Sequence, residues 1–344
     1  MSEQTSLMAR EIAETGPILA RQLAANAAST AAIADLLRQR DPRVVVTIAR
    51  GSSDHAALYL KYLVEISLGV PCASIGPSIA SLYNAPLRLE SALAITISQS
   101  GRSPDIVALQ AAAGRAGART LALVNVVDSP VAHGAQLLLP LCAGPEKSVA
   151  ATKSMIAALV AGAALVGAWT GDEAFNAAIA TLPALLSAKG GPPPAAAVAL
   201  VAGAKSAFVI GRGATFAIAA EAALKLKETC AIHAEAFSAA EVLHGPAGVI
   251  TPGFLVIAFM PQDAAREGFS ETLDRLAGMG ARLLVIDAES AASPSALAVP
   301  AAAHPALTAI VMLHRFYDIV EACAQALGRD PDNPPHLRKV TETT

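Results

Sequence analysis

The sequence predicts an α/β protein of two tandem domains, each a mainly parallel sheet flanked by helices. Three observations carry that expectation. Short apolar runs rich in Val, Ile and Leu alternate with segments of helical periodicity, and apolar runs without polar alternation suit strands covered on both faces. The pattern of the first half returns in the second at a constant spacing. Between the halves stands "AKGGPPP", Ala188 to Pro194, where three prolines after two glycines cannot continue a helix.

Taken in order, the first forty residues place Met8, Ile12, Ile18, Leu19, Leu23, Ile33, Leu36 and Leu37 at helical spacing, which predicts two lead-in helices over residues 1–40. The run "RVVVTIARGSSDHAALYLKYLVE" then gives a β-branched strand, a glycine-serine turn and an amphipathic helix. Strand-like runs follow at "PCASIG", "LAITISQSG", "TLALVN" and "QLLLPL", so a first domain is expected over 41–187. A linker at 188–196, a second domain over 197–328 and a C-terminal tail over 329–344 complete the layout. "TIARGSS" (Thr47 to Ser53) falls opposite "VIGRGAT" (Val209 to Thr215), "ITISQSG" (Ile95 to Gly101) opposite "IAFMPQD" (Ile257 to Asp263), and "GARTLALV" (Gly117 to Val124) opposite "GARLLVID" (Gly280 to Asp287). All three offsets are 162 or 163 residues, which indicates an internal duplication.

Composition narrows the function classes. The 344 residues are 54% hydrophobic and only 15% charged, against about 25% charged in an ordinary soluble domain. Much surface must therefore be buried, part of it in a subunit interface. Lys and Arg total 25 against 28 Asp and Glu, with no basic stripe to track phosphates, so nucleic acid is not an expected partner. Cys72, Cys142, Cys230 and Cys323 are widely spaced, which suits reduced thiols in a cytoplasm, and Met1 to Glu14 is too polar for a signal peptide. Ser154 to Gly171 runs 18 residues without a charge. Its Ala and Gly content reads as a buried helix, at a subunit interface, rather than as a membrane span.

No cofactor is expected. "VIGRGATFAIA" has Phe216 where a dinucleotide fingerprint needs a small residue, no ribose-binding acid follows, and no P-loop is present. His233 and Glu235 lack the spacing and the second cluster that a metal site needs. "SQSGRSPD", Ser98 to Asp105, is different, because a hydroxyl-rich turn between a strand and a helix N-terminus gathers donors around one point where the helix dipole favours negative charge. Pro104 suits the first helical turn, Ser103 the N-cap, and Gly101 a close backbone approach. This fits a phosphate held by Ser98, Gln99, Ser100 and Ser103; an ordinary polar turn with a capped helix is the other reading. The second copy has Met260, Pro261, Gln262 and Asp263 there, with fewer donors and an added acid.

The richest stretch is "AEAALKLKETCAIHAEAFSAAEVLHGP", Ala220 to Pro246. Glu221, Lys225 and Glu228 stand at i, i+4 and i+7, so a helix sets them on one face, either solvated and paired or held together for chemistry. His244 precedes a Gly-Pro turn where an imidazole can face a cleft; a buried, satisfied histidine is the alternative.

These segments together, with "VAATK" (Val149 to Lys153) and the tail "DPDNPPHLRKVT", strongly resemble the isomerase part of glucosamine-6-phosphate synthase. That part is built of two SIS (sugar isomerase) domains, each a flavodoxin-like three-layer sandwich, and the likeness runs through nearly the whole chain. The resemblance implies that Ser98, Gln99, Ser100 and Ser103 hold a sugar phosphate, and that Ser52 with the backbone at Val149 and Ala150 lines the sugar. It implies Glu228 as the base that moves a proton between C1 and C2, Lys225 beside it, and His244 as the ring-opening group, donated across a homodimer interface. Lys339 matches the tail lysine that closes over the sugar and can form an imine. Such groups suit aldose-ketose exchange, which needs ring opening, a positioned carboxylate and a cation beside a developing oxyanion. Departures are Ser2 in place of the glutaminase cysteine, so no glutamine hydrolysis is expected, and Ala151, Leu243 and Arg50 in place of serine, lysine and cysteine. Stand-alone members with this ending resemble glucosamine-6-phosphate deaminases, so a metal-independent, cytoplasmic deaminase/isomerase is the expectation. Another sugar phosphate (galactosamine 6-phosphate or a fructosamine phosphate) and a non-catalytic sugar-phosphate sensor are its rivals.

Overall fold

Two helices open the chain, α1 (Leu7–Ala13) and α2 (Thr15–Arg40), and the predicted apolar positions Met8, Ile12, Ile18, Leu19, Ile33 and Leu37 are buried. Ser6 caps α1, its hydroxyl accepting the Ala9 N–H at 3.0 Å. A computed structural model describes residues 5–188, 191–289 and 296–339. Ser2, Lys189 and Gly190 of the linker, and Val340 to Thr344 of the tail lie outside the described residues.

The chain divides into two compact units that do not follow its order: residues 15–146, 153–183 and 338–344 form one, and residues 1–14, 147–152 and 184–337 the other. The first contains β1 (Val44–Ile48), α3 (Ser52–Leu68), β2 (Cys72–Ser74), α4 (Ser78–Ser81), β3 (Ala92–Ser98), α5 (Pro104–Arg115), β4 (Arg119–Val124), α6 (Pro130–Gly134), β5 (Leu137–Pro140), α7 (Lys153–Thr170) and, as far as Pro183, α8 (Glu173–Ser187). Its sheet runs β2-β1-β3-β4-β5, parallel throughout. The central strand β3 is buried at every residue, the pattern of a strand covered on both faces. One face packs Val46, Ile48, Ala94 and Ala122 against Ile106, Leu109 and Ala113 of α5. Helix α7, the uncharged segment, is long and apolar enough to cross a membrane, yet it is buried by α2 and α3 of its own unit. Its burial therefore comes from the same chain.

The second unit continues with α9 (Ala195–Ala202), β6 (Ser206–Gly211), α10 (Ala214–Cys230), β7 (His233–Ser238), β8 (Leu255–Phe259), α11 (Arg266–Gly278), β9 (Arg282–Asp287), β10 (Ala296–Ala298) and α12 (Pro305–Ala326). Its sheet reads β7-β6-β8-β9-β10, the first sheet's order repeated. The duplication thus extends to both edge strands, which the sequence comparison did not pair. Strand β7 escapes sequence reading because it lies on an edge and exposes His233 and Glu235. Helix α10 stops just before it, at Ala231 in the left-handed conformation.

Duplication also preserves a backbone detail. The glycine joining the first strand of each sheet to its helix has φ 56°, ψ −133° at Gly51 and φ 60°, ψ −133° at Gly213. Side chains disfavour that region strongly, so both turns need glycine. Gly51→Ala and Gly213→Ala should each lower stability by about 1–3 kcal/mol in urea unfolding; a cost under about 0.5 kcal/mol at both would show that the turns relax freely.

Candidate functional site

In the first unit the candidate residues gather at the carboxyl edge of the sheet. Strands β1 and β3 are parallel neighbours with Ile48 opposite Thr96, so the turn carrying Ser52 and the loop starting at Ser98 leave the sheet side by side. This is the edge where open parallel sheets bind ligands. The loop is tightly built. The Ser98 hydroxyl accepts the Gly101 N–H at 3.0 Å, and the Ser100 hydroxyl accepts the Arg102 N–H at 3.3 Å. Carbonyls of Ser98, Gln99 and Gly101 are tied by the N–H groups of Asn125, Val126 and Val131 at 3.1–3.2 Å. Gly101 has φ +64°, and a Cβ there would fall 2.2 Å from the Ser129 hydroxyl, so no larger residue fits. Ser103 occupies the N-cap of α5 with no capping hydrogen bond from its side chain. The simple reading of a serine spent on its own helix is thus not what the structure contains.

The tail lysine also belongs to this unit. Lys339 Nζ donates to Glu146 Oε2 at 2.9 Å, and the same buried carboxylate accepts the Ser154 N–H at 3.0 Å and hydroxyl at 2.6 Å. Burial by itself would raise the Glu146 pKa, but the Lys339 ammonium and the Ser154 donors outweigh it and hold the carboxyl below its ordinary range.

In the second unit α10 carries the charged row. Glu221 and Lys225 have no exposed surface, whereas the Glu228 side chain keeps 21% of its own. A solvated face is therefore excluded. Lys225 Nζ lies 3.4 Å from Glu221 Oε1 and hydrogen-bonds Glu228, while the Tyr317 hydroxyl donates to Glu221 at 3.2 Å from α12. Burial would push the Lys225 ammonium down, but the two carboxylates outweigh it and hold its pKa above the ordinary value. Lys225 is thus a fixed cation whose nearest partner is the one carboxylate of the row that reaches the surface.

His244 is exposed on the turn before Gly245, its backbone N–H donating to Glu241 at 2.8 Å, which removes the buried-histidine alternative. Val149 and Ala150 lie in a segment held by the tail: the Val149 N–H donates to the Asp332 carbonyl at 3.0 Å, and the Asp332 carboxylate accepts the Leu7 and Met8 N–H groups at 2.7 Å each. Ala150 is buried and Val149 half-buried. His233 and Glu235 gather no third ligand; among the described residues no group of three His, Cys, Asp or Glu is placed to hold a metal ion.

The second copy of the loop is occupied by its own side chains. Gln262 donates to Met260 and to Asp287 at 3.0 and 2.9 Å, and Arg266 grips both Asp287 oxygens at 3.0 and 2.8 Å. Two groups near the predicted residues went unread in the sequence. Glu146 offered no local signal, since its partner stands 193 residues away. Asp105, buried in the first turn of α5, pairs with Arg50, which the sequence marks only as a departure.

The SIS domain family model matches residues 36–168 and 200–316. Glutamine–fructose-6-phosphate aminotransferase (isomerizing) of Symbiobacterium thermophilum is 33% identical over 352 residues, covering 97% of this chain and 56% of the relative. The chain spans about half the length of the curated relatives it matches. A protein of Silicibacter pomeroyi, provisionally named a phosphosugar isomerase, superposes with TM-score 0.88 at 43% identity over 95% of this chain and 100% of that one. The glucosamine-6-phosphate deaminase of Thermotoga maritima superposes with TM-score 0.78 at 20% identity over 98% and 100%.

The Lys339–Glu146 pair sets a pH signature. A carboxyl whose folded pKa is depressed adds stability that is full above its ordinary value of 4.5 and is lost as pH falls through the folded value. Lys339→Met should cost about 2–4 kcal/mol at neutral pH, and the deficit should shrink as pH falls below 4.5, where the parent loses the stability of the pair and the variant does not, read by urea unfolding across a pH series. Superimposable stability curves would show the pair to be energetically idle.

Proposed function

The chain belongs to the SIS domain family, and we propose that it is a phosphosugar isomerase that deaminates an amino-sugar phosphate, converting glucosamine 6-phosphate and water to fructose 6-phosphate and ammonia. The observation that carries this reading is the α10 row, where a buried ammonium holds a partly exposed carboxylate. The names of the Symbiobacterium and Silicibacter relatives support phosphosugar isomerisation; the Thermotoga deaminase, at 20% identity, supports the fold alone.

In the proposed reaction Ser98, Gln99, Ser100 and Ser103 hold the phosphate, and Ser52 with the backbone at Val149 and Ala150 lines the sugar. His244 opens the ring, supplied by the partner copy of a homodimer. Glu228 takes the C2 proton of the open aldose and returns it to C1 through a 1,2-enolamine. That leaves an imine at C2, which water hydrolyses to the ketose and ammonia. Lys225, engaged by two carboxylates, aims Glu228. Lys339 supplies a cation beside the developing oxyanion, or exchanges into the imine once released from Glu146. With all four cysteines free, the cytoplasm is the compartment that suits the chain.

Incubation with glucosamine 6-phosphate should yield ammonia and fructose 6-phosphate in equal amounts. Galactosamine 6-phosphate and fructosamine phosphates, assayed in parallel, decide the substrate. Absence of product from all three with catalytic amounts of enzyme would overturn the reading in favour of a sensor. Glu228→Gln should lower turnover by about 10²–10⁴-fold while leaving sugar-phosphate binding within a few-fold of the parent; unchanged turnover would remove Glu228 from the mechanism.

A further inference from the structure

Arg50 has no part in the reaction described above, and its setting is specific. It follows β1 by two residues, level with the end of β3 where the phosphate loop begins. Its Nε and Nη2 both donate to Asp105 Oδ2, at 3.1 and 2.9 Å, while the other oxygen of Asp105 accepts the Ile106 N–H at 2.8 Å. The Asp105 side chain is 1% exposed and that of Arg50 is 55% exposed, so a buried acid is neutralised by a guanidinium whose outer edge faces solvent.

We propose that Arg50 is a charge-compensating positioning residue: by neutralising Asp105 it lets the Ser98–Ser103 loop accept the dianionic form of a phosphate monoester. This rests on the phosphate reading of the loop given above. Asp105 stands in the first turn of α5 and already supplies the negative charge that a helix N-terminus favours. A phosphate arriving at the same turn adds its charge at the helix N-terminus that the buried Asp105 already occupies, and an uncompensated like charge there opposes binding. The opposition grows with each charge on the ligand, so the dianion suffers most.

The neighbouring charges do not replace Arg50. Arg102 on the loop is exposed and donates to the Asp128 carbonyl at 3.0 Å. Asp54, in the first turn of α3, adds a second acid, its pKa raised by burial against the opposing pull of His55 and Arg50. Asp54 hydrogen-bonds Ser74 of β2, on the side of β1 away from β3, and Arg50 is the cation hydrogen-bonded to the buried Asp105. In the second unit Arg266 and Asp287 form a comparable pair, but with Gln262 they occupy the loop itself.

The test is calorimetric titration with glucitol 6-phosphate, an unreactive open-chain phosphate, and with inorganic phosphate. Arg50→Gln should weaken both by about tenfold or more, and Arg50→Lys, which keeps the charge, by no more than about threefold. Asp105→Asn should bind at least as tightly as the parent. The double variant Arg50→Gln/Asp105→Asn, an amide pair expected to keep the local fold, should recover to within about threefold of the parent. Parent affinity for glucitol 6-phosphate should rise as pH passes through about 6, where a phosphate monoester takes its second charge, and Arg50→Gln should flatten that rise. Unchanged affinity in Arg50→Gln, or a double variant no better than it, would overturn the proposal while leaving the phosphate loop standing. A parent protein that binds neither probe would overturn the phosphate reading and this proposal with it. Binding without deamination would overturn only the assigned reaction.

Discussion

A fully buried ammonium is the constraint around which the second unit is organised. An isolated charge of that kind costs several kcal/mol to remove from water, so Lys225 requires carboxylates within reach and a fold that keeps them there. Glu221 and Glu228 answer that requirement from the same helix, and Tyr317 on α12 fixes Glu221 from across the packing. The three charges sum to one negative. Glu221 is enclosed and hydrogen-bonded, so the carboxylate able to present that charge outward is Glu228. A surface glutamate without such support would wander among rotamers; one tied to a buried cation is held in place, as general base catalysis demands.

Much of the fold was legible in the sequence because parallel α/β architecture writes itself in composition. Strands buried on both faces become unbroken apolar runs, and a duplication keeps its spacing, so β1, β3 and β4 could be set against β6, β8 and β9 before any coordinates. Strands β7 and β10 could not. Each is an edge with one neighbour, and β7 exposes His233 and Glu235, so its pattern is that of a polar loop.

The site divides the same way. Ser98 to Ser103 announced itself because strand, hydroxyls, glycine and proline are contiguous. The α10 row was visible as a row, but i, i+4, i+7 spacing is identical for a solvated face and a buried triad. What separates them is Tyr317, 96 residues on. Arg50 with Asp105 and Lys339 with Glu146 span 55 and 193 residues, and no local rule connects partners at such distances. Polar groups buried by tertiary packing are where sequence reasoning stops, since their role depends on which partner the fold delivers.

The two copies of the loop show what duplication permits. Both sheets share strand order and the Gly51/Gly213 turn, so the scaffold imposes no difference between them. The divergence lies in side chains. In the first copy a buried acid, Asp105, is paired with Arg50. In the second an acid is kept in the first turn of α11 as Glu267, and a further one, Asp287 at the end of β9, is held by Arg266 and Gln262. A loop whose donors are already satisfied by an internal carboxylate has nothing left to offer an external anion. The copies therefore differ in whether the loop's own side chains are tied to an acid of the sheet, and not in the arginine that follows the first strand, which both keep as Arg50 and Arg212.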